Sequence, residues 1–317
     1  MKLIRFKDFY LLFALSLIKM VGRFSSPGLR DFVAKGLAFA AYQCSRNKRR
    51  LSEENVFKAL GGDFNEKERR EIIKVVFQEL WRDTFLLLSP VKERSVLKGV
   101  TVEGLEHLRR ALRNRKGVIL WESNSFGRRV LSKRILAENG FWVHQVYGND
   151  HIVGFLSSLE SRVRNQVIRP TFAKWENQFL AEILYLPRSD SFAFTRTLLD
   201  RLEQNAIICI PGDGKSGQKT IQIKFLGRTE PFSTGMVSLA RISGASILPM
   251  LCYDEGGGKT RLMIEPPIPM ESKVDRDRGF ESSITQYANL LESHIRKHPE
   301  QYQNWHLLRG YQQKREA

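Results

Sequence analysis

Apolar positions recur at helical spacing through the first 90 residues, then shorten into compact runs separated by further helical stretches. The spacing predicts helices over residues 3–22 and 29–46. Gly22 and the Ser-Ser-Pro-Gly at 25–28 close the first of them. Ser52-Glu53-Glu54 opens a short helix that Gly61-Gly62 ends, and Asn65 caps a longer one carrying Ile72, Val75, Val76, Leu80 and Phe85. After Pro90 the period changes. Helices are predicted over 105–112, 129–139, 192–204, 235–243 and 284–298. Strands are predicted over 117–121, 141–147, 206–210, 221–225, 246–252 and 261–265. Glu255-Gly-Gly-Gly258 reads as a hairpin tip. Strands alternating with helices predict an α/β fold, a mixed central sheet flanked by helices, with an amphipathic helical segment in front. Residues 1–50 then form a basic membrane-binding segment and residues 51–317 the α/β domain.

Composition narrows the classes. Apolar residues are 42% and charged residues 27%, an ordinary globular balance that excludes wholesale disorder and fibrous structure. Lys plus Arg number 51 against 34 Asp plus Glu, a formal charge of +17, so an anionic partner is expected. The first 50 residues hold eleven cations, from Lys2 to Arg50, opposed by Asp8 and Asp31 alone. The same stretch is rich in Phe and Leu, which favours an anionic membrane surface over nucleic acid. The alternative is a solvated basic face on ordinary core helices. The longest apolar run there, residues 9–18, is half of the about 20 residues that a spanning helix needs. No secretory signal is read from this segment. Cys44, Cys209 and Cys252 fit no zinc or disulfide spacing, and the six histidines form no paired-ligand motif. A reducing compartment, no metal and no cofactor are expected.

Several segments carry a resemblance. These are Arg46-Asn-Lys-Arg-Arg50 with Glu54-Asn55 and Ala59-Leu60-Gly61; Val102-Glu-Gly-Leu-Glu-His-Leu108 leading into Lys116-Gly-Val-Ile-Leu120; and Ile210-Pro-Gly-Asp-Gly214. Phe225-Leu-Gly227, Pro231, Thr234-Gly235 and Gly244-Ala245 follow, then His298-Pro-Glu-Gln301 with Trp305-His306 and Arg309. In this order they resemble the late acyltransferases of lipid A biosynthesis, the lauroyl/myristoyl transferases of the lysophospholipid acyltransferase superfamily, from about residue 1 to 310. The resemblance implies a peripheral enzyme on the cytoplasmic face of the inner membrane. It implies a thioester on an acyl or aminoacyl carrier protein as donor, an anionic lipid A-like or other glycolipid or phospholipid as acceptor, and no nucleic acid. The other reading is a catalytically inactive protein of this fold that binds lipid or assists assembly.

One departure stands out. The family carries His-x-x-x-x-Asp/Glu after the strand that corresponds to 117–121. Here Ser125 occupies the histidine position and Val130 the carboxylate position, and no histidine lies between His107 and His144. Glu122, at the end of an apolar strand beside Trp121 and Phe126, is therefore the expected catalytic base, its pKa raised by desolvation. Ser125 is expected either to bind the acceptor or to act as a nucleophile. The plainer readings are a Glu122 salt bridge with Arg128 or Arg129, and Ser125 as a helix N-cap. Pro211-Gly-Asp-Gly-Lys-Ser-Gly217 lacks P-loop spacing. The resemblance places Gly212 and Asp213 against the substrate; a tight turn is the alternative. The resemblance also points to Arg164 and Arg188, which lie in stretches where the family places substrate-binding basic residues, ordinary surface arginines being the alternative; Arg128, at a helix start that suits an anion, completes the expected substrate-binding residues.

Overall fold

The computed structural model describes residues 6–88, 97–148, 169–187, 191–213, 219–270 and 276–308. Four helices come first: α1 (Phe6–Phe24), α2 (Pro27–Cys44), α3 (Arg46–Leu60) and α4 (Glu66–Leu88). Ser26 caps α2, its hydroxyl accepting from the Leu29 amide with Pro27 at the first helical position. Asn65 and Glu68 form a reciprocal capping box at the start of α4. The expected break between 46 and 52 is absent. Arg46, Lys48, Arg49 and Arg50 are helix formers, Arg50 pairs with Glu54 one turn on at 3.1 Å, and the chain breaks earlier, at Ser45. Ser52 therefore lies inside α3, its hydroxyl donating to the Lys48 carbonyl instead of capping.

The remainder runs β1 (Val100–Glu103), α5 (Leu105–Arg113), β2 (Val118–Glu122), α6 (Arg129–Glu138), β3 (Val143–Tyr147), α7 (Arg169–Glu176), β4 (Leu180–Tyr185), α8 (Ser191–Glu203) and β5 (Ile207–Pro211). It continues with β6 (Thr220–Phe225), β7 (Arg228–Ser233), α9 (Gly235–Ser243), β8 (Ser246–Gly256), β9 (Lys259–Ile264) and α10 (Arg276–Lys297). Two 3-10 turns follow, Pro299–Gln301 and Trp305–Leu307. Among the described residues, seven strands form one mixed sheet in the order β1-β9-β8-β2-β5-β3-β4, and β6 and β7 form a separate antiparallel hairpin. The sheet is parallel apart from β8–β9, which turn at the expected glycine tip through Gly256, Gly257 and Gly258, all at positive φ. The α/β reading thus holds, with helices on both faces of a mostly parallel sheet.

Strand β2 lies at the centre, parallel to β5 on one side and to β8 on the other. Its alternation divides the core. Ile119 and Trp121 face the layer built by the first four helices, α8, α9 and α10, whereas Val118 and Leu120 face α5 and α6 through Leu108, Ala111, Leu131 and Ile135. Period two sends Glu122 to the α6 side. Phe126 bridges Tyr302, and the Gln303 amide donates to the Ser125 carbonyl at 2.7 Å. The C-terminal segment is thereby stitched to the loop after β2. Asn55 of α3 secures it from behind, its side chain donating to the carbonyls of Trp305 (2.7 Å) and Leu308 (3.0 Å).

Candidate active site

The carboxyl ends of β2 and β5 lie side by side, Glu122 opposite Pro211, with the Gly212 amide donating to the Glu122 carbonyl at 2.9 Å. Ligands of open α/β sheets bind outside strand carboxyl ends. Loop 123–128 leaves β2 here as a tight side-chain-supported turn. The Ser123 hydroxyl accepts from the amides of Ser125 (3.0 Å) and Phe126 (2.9 Å) and donates to the Asp213 carboxylate at 2.5 Å. The Asn124 amide also donates to Asp213. Gly127, at φ +73°, lets the chain pass the β8 edge, where a Cβ would lie 2.0 Å from the Cys252 carbonyl oxygen.

Glu122 does not have the environment expected of it. It is 2% exposed and accepts from Lys133, from Arg129 at 3.3 Å and from Gln145 at 2.8 Å. Lys133 is itself fully buried. Burial alone raises the carboxyl pKa, but Lys133 and Arg129 outweigh it and hold the group below its ordinary range. The expected rise is therefore corrected. Strand alternation aims this side chain at α6, whose Arg129 and Lys133 stand four residues apart on one helix face. The pairing partner is Arg129, not Arg128. The network continues through Tyr147, whose hydroxyl donates to Glu176 of α7.

Arg128 is likewise held internally, donating to Asp254 at 2.5 Å, Glu79 at 3.3 Å and the Thr260 hydroxyl at 3.1 Å. These bonds take up a guanidinium that was expected to face substrate. Ser125 is not the helix cap: Arg128 is the N-cap of α6 and makes no side-chain capping bond. Instead the buried Ser125 hydroxyl accepts from the Asn304 side chain at 2.7 Å. Gly212 has a packing reason for its identity. A Cβ there would lie 1.3 Å from the Trp121 indole nitrogen, and that indole stacks on Tyr287 of α10 with centroids 4.1 Å apart. Arg164 and Arg188 lie outside the described residues.

Asp213 stands apart from these held groups. It is half-buried at the end of β5, and burial pushes its carboxyl above the usual range against the Ser123 and Asn124 hydrogen bonds that pull it down. Beside it Asn124 is exposed, its side-chain oxygen accepting from Arg129 at 3.0 Å. Behind the loop, Asp83 of α4 is buried and accepts from the Gln303 side chain at 3.0 Å; its other oxygen has no partner among the described residues. Burial first, then Glu79, pushes the Asp83 carboxyl up to about 7, against the pull of Arg128. Sequence reasoning missed Ser123, Asn124, Asp83 and Asn304. Lys133 gave no clear signal, since it stands beside Ser132 and Arg134 in Val130-Leu-Ser-Lys-Arg-Ile-Leu136 and reads as part of a polar helix face.

The sequence model for the bacterial lipid A biosynthesis acyltransferase family matches residues 153–309, a stretch that begins after loop 123–128. Over that stretch, just under half of the chain, it is similar to the lipid A acyltransferases. Curated relatives extend the likeness to a second acceptor class. The phosphatidylinositol mannoside acyltransferase of Mycobacterium tuberculosis is 24% identical over 231 residues, 72% of this chain and 65% of the relative. The protein of the same name from Mycolicibacterium smegmatis is 24% identical over 234 residues, 73% of this chain and 68% of the relative. The chain thus spans just under two thirds of the length of the first of these relatives. Asp213 and the Trp305–Leu307 turn fall inside the family match; Glu122 and Ser125 precede it.

Proposed function

We propose that this chain is a membrane-surface acyltransferase that moves an acyl group from a carrier-protein thioester to a hydroxyl of a phospholipid or glycolipid; an aminoacyl donor fits the same chemistry. The family match and the relatives' names support acyl transfer to a lipid-like acceptor. The observation that carries the mechanism is the Asp213 carboxylate, fixed by Ser123 and Asn124, half-exposed and raised in pKa. Among the described residues Ser123 and Asn124 each donate to it, and a carboxylate has about four lone-pair positions, so it can accept from a substrate hydroxyl as well. As the acceptor oxygen bonds to the thioester carbon, Asp213 takes the hydroxyl proton. The carbon–sulfur bond then breaks, and the thiolate leaves and is protonated. Ser125, next to Asp213 through Ser123, orients the acceptor. Glu122 organises this loop from below as a paired anion.

The membrane side is read from the first two helices. Phe13, Leu17, Met20 and Phe24 of α1 are exposed and three or four residues apart, one stripe of the helix, and Leu29, Phe32 and Phe39 of α2 are exposed as well. Among the described residues no helix is long and apolar enough to cross a membrane. An apolar stripe flanked by Lys19, Arg23 and Lys35 suits the surface of an anionic leaflet, with the protein on the cytoplasmic face of the inner membrane.

The test is transfer from an acyl-thioester carrier protein to lipid in anionic vesicles. Wild type should transfer, and Asp213→Asn should lose on the order of 10²- to 10⁴-fold in kcat with intact folding. Equal rates would remove Asp213 from the mechanism. A second reading, lipid binding without transfer, is favoured by the serine at the family's histidine position and by the internal pairing of Glu122. Vesicle binding with no transfer from any thioester donor would establish it.

A further inference from the structure

The opposite end of the sheet carries a feature that acyl transfer does not use. Helix α5 and the residues after it, 105–116, contain Arg109, Arg110, Arg113, Arg115 and Lys116 against the single acid Glu106. All five cations are exposed, and among the described residues Arg110, Arg113, Arg115 and Lys116 make no ion pair. The frame beneath is rigid. Asn205 donates its side chain to the Leu112 carbonyl (3.1 Å) and accepts from the Gly117 amide (3.2 Å), which ties the end of α5 to the entry of β5.

Two exposed apolar side chains belong to the same end. Trp142 is 51% exposed and precedes β3; its neighbour Phe141 packs under the Arg109 guanidinium, 5.7 Å from the ring centroid. Ile242 is 66% exposed, near the Gly244 turn against which the Lys116 stem packs. Arginine with tryptophan at the centre is the composition of binding hot spots.

We propose that this face, Arg110, Arg113, Arg115 and Lys116 with Trp142 and Ile242, docks an acidic protein segment that also presents apolar side chains. Charge complementarity selects an anionic partner. Position selects a protein over the bilayer. Gly117, Trp142 and Ala206 mark the amino ends of β2, β3 and β5, about 17 Å of strand away from their carboxyl ends. The α3 and α4 helices pack on the C-terminal 3-10 turns beside loop 123–128 at the far end. A membrane engaged by α1 and α2 leaves α5 facing the aqueous side; this step alone rests on the lipid-facing reading. Trp142 and Ile242 select a protein over nucleic acid, because no base-reading pattern accompanies them.

The experiment measures binding of the full chain by fluorescence anisotropy at about 0.15 M salt. The probes are a labelled Glu-rich amphipathic helical peptide with Leu and Phe on one face, poly-glutamate of equal length, duplex DNA and anionic vesicles. Arg110→Glu with Arg113→Glu should weaken the amphipathic peptide by about tenfold or more. The charge-matched control, Arg50→Glu with Arg70→Glu at exposed sites elsewhere, should change it by less than about twofold. Trp142→Ser with Ile242→Ser should weaken the amphipathic peptide about threefold or more and leave poly-glutamate unchanged. Equal loss in the control, no effect of the Trp142 and Ile242 changes, absence of peptide binding, or tighter binding of DNA or vesicles through the same arginines would each overturn the proposal. Vesicle transfer activity is read separately, so that a failure of docking and a failure of acyl transfer remain distinct.

Discussion

Replacing Glu122 with glutamine removes the one carboxylate that pairs with Lys133 among the described residues. The lysine is fully buried and Glu122 is 2% exposed, so neither group is solvated in the fold. Breaking one partner of such a pair leaves a buried charge uncompensated and costs about 3–5 kcal/mol. Arg129 loses its 3.3 Å contact in the same step, while Gln145 can still donate to the new amide oxygen. Taking about 4 kcal/mol, and about 2.1 cal/mol/K of unfolding entropy per residue over 317 residues, Tm should fall by about 6 °C. Scanning calorimetry at neutral pH measures this directly. A double-mutant cycle sharpens it: Lys133→Met added to Glu122→Gln removes the stranded cation and should recover about 2 kcal/mol or more. The pH dependence has a fixed sign. A carboxyl whose folded pKa is lowered contributes stability above its unfolded pKa, so the wild-type advantage should vanish as pH falls below the ordinary glutamate range. A loss below about 1 kcal/mol, with no coupling to Lys133, would refute the structural role and return Glu122 to the list of proton acceptors.

Gly212→Ala should destabilise the chain by about 3 kcal/mol or more, because its Cβ meets the stacked Trp121 indole; a chemical melt monitored by Trp fluorescence checks this. Asp83→Asn should stabilise the protein above neutral pH, since a carboxyl raised to about 7 weakens the fold as pH rises from its unfolded value near 4 through 7. The gain is on the order of 2–4 kcal/mol at pH 8, fading to nothing below pH 4, and urea melts across pH measure it. Asn55→Ala takes one hydrogen bond from each of two carbonyls of the C-terminal turns, leaving Leu308 its bond from Arg228 and Trp305 a long one from the Leu308 amide, and should cost about 1–2 kcal/mol, with faster proteolysis after Trp305.

The parallel core was legible because β2, β5 and β8 are buried on both faces and read as continuous apolar runs. Strands β1, β4 and β7 were not read, because the first two lie at sheet edges and the third in a separate hairpin, and all three mix polar with apolar residues. The site was legible as a place more than as a set of roles. The sequence placed Glu122, Ser125 and Asp213 near one another, and the fold brings their loops together. The direction in which Glu122 points depends on α6 lying over the face that alternation gives it, and desolvation alone predicted the opposite pKa shift from the one its two cations impose. Asp83 and Asn304 lie some 40 and 180 residues from this loop, at separations that no local spacing encodes.

Mass spectrometry of the lipid fraction from cells with wild type, with Asp213→Asn and without the gene tests acyl transfer to lipid most directly. Wild type should yield a lipid species heavier by one acyl or aminoacyl group, absent from both other samples. An unchanged lipid profile across all three, with the protein folded and present on the membrane, would contradict it.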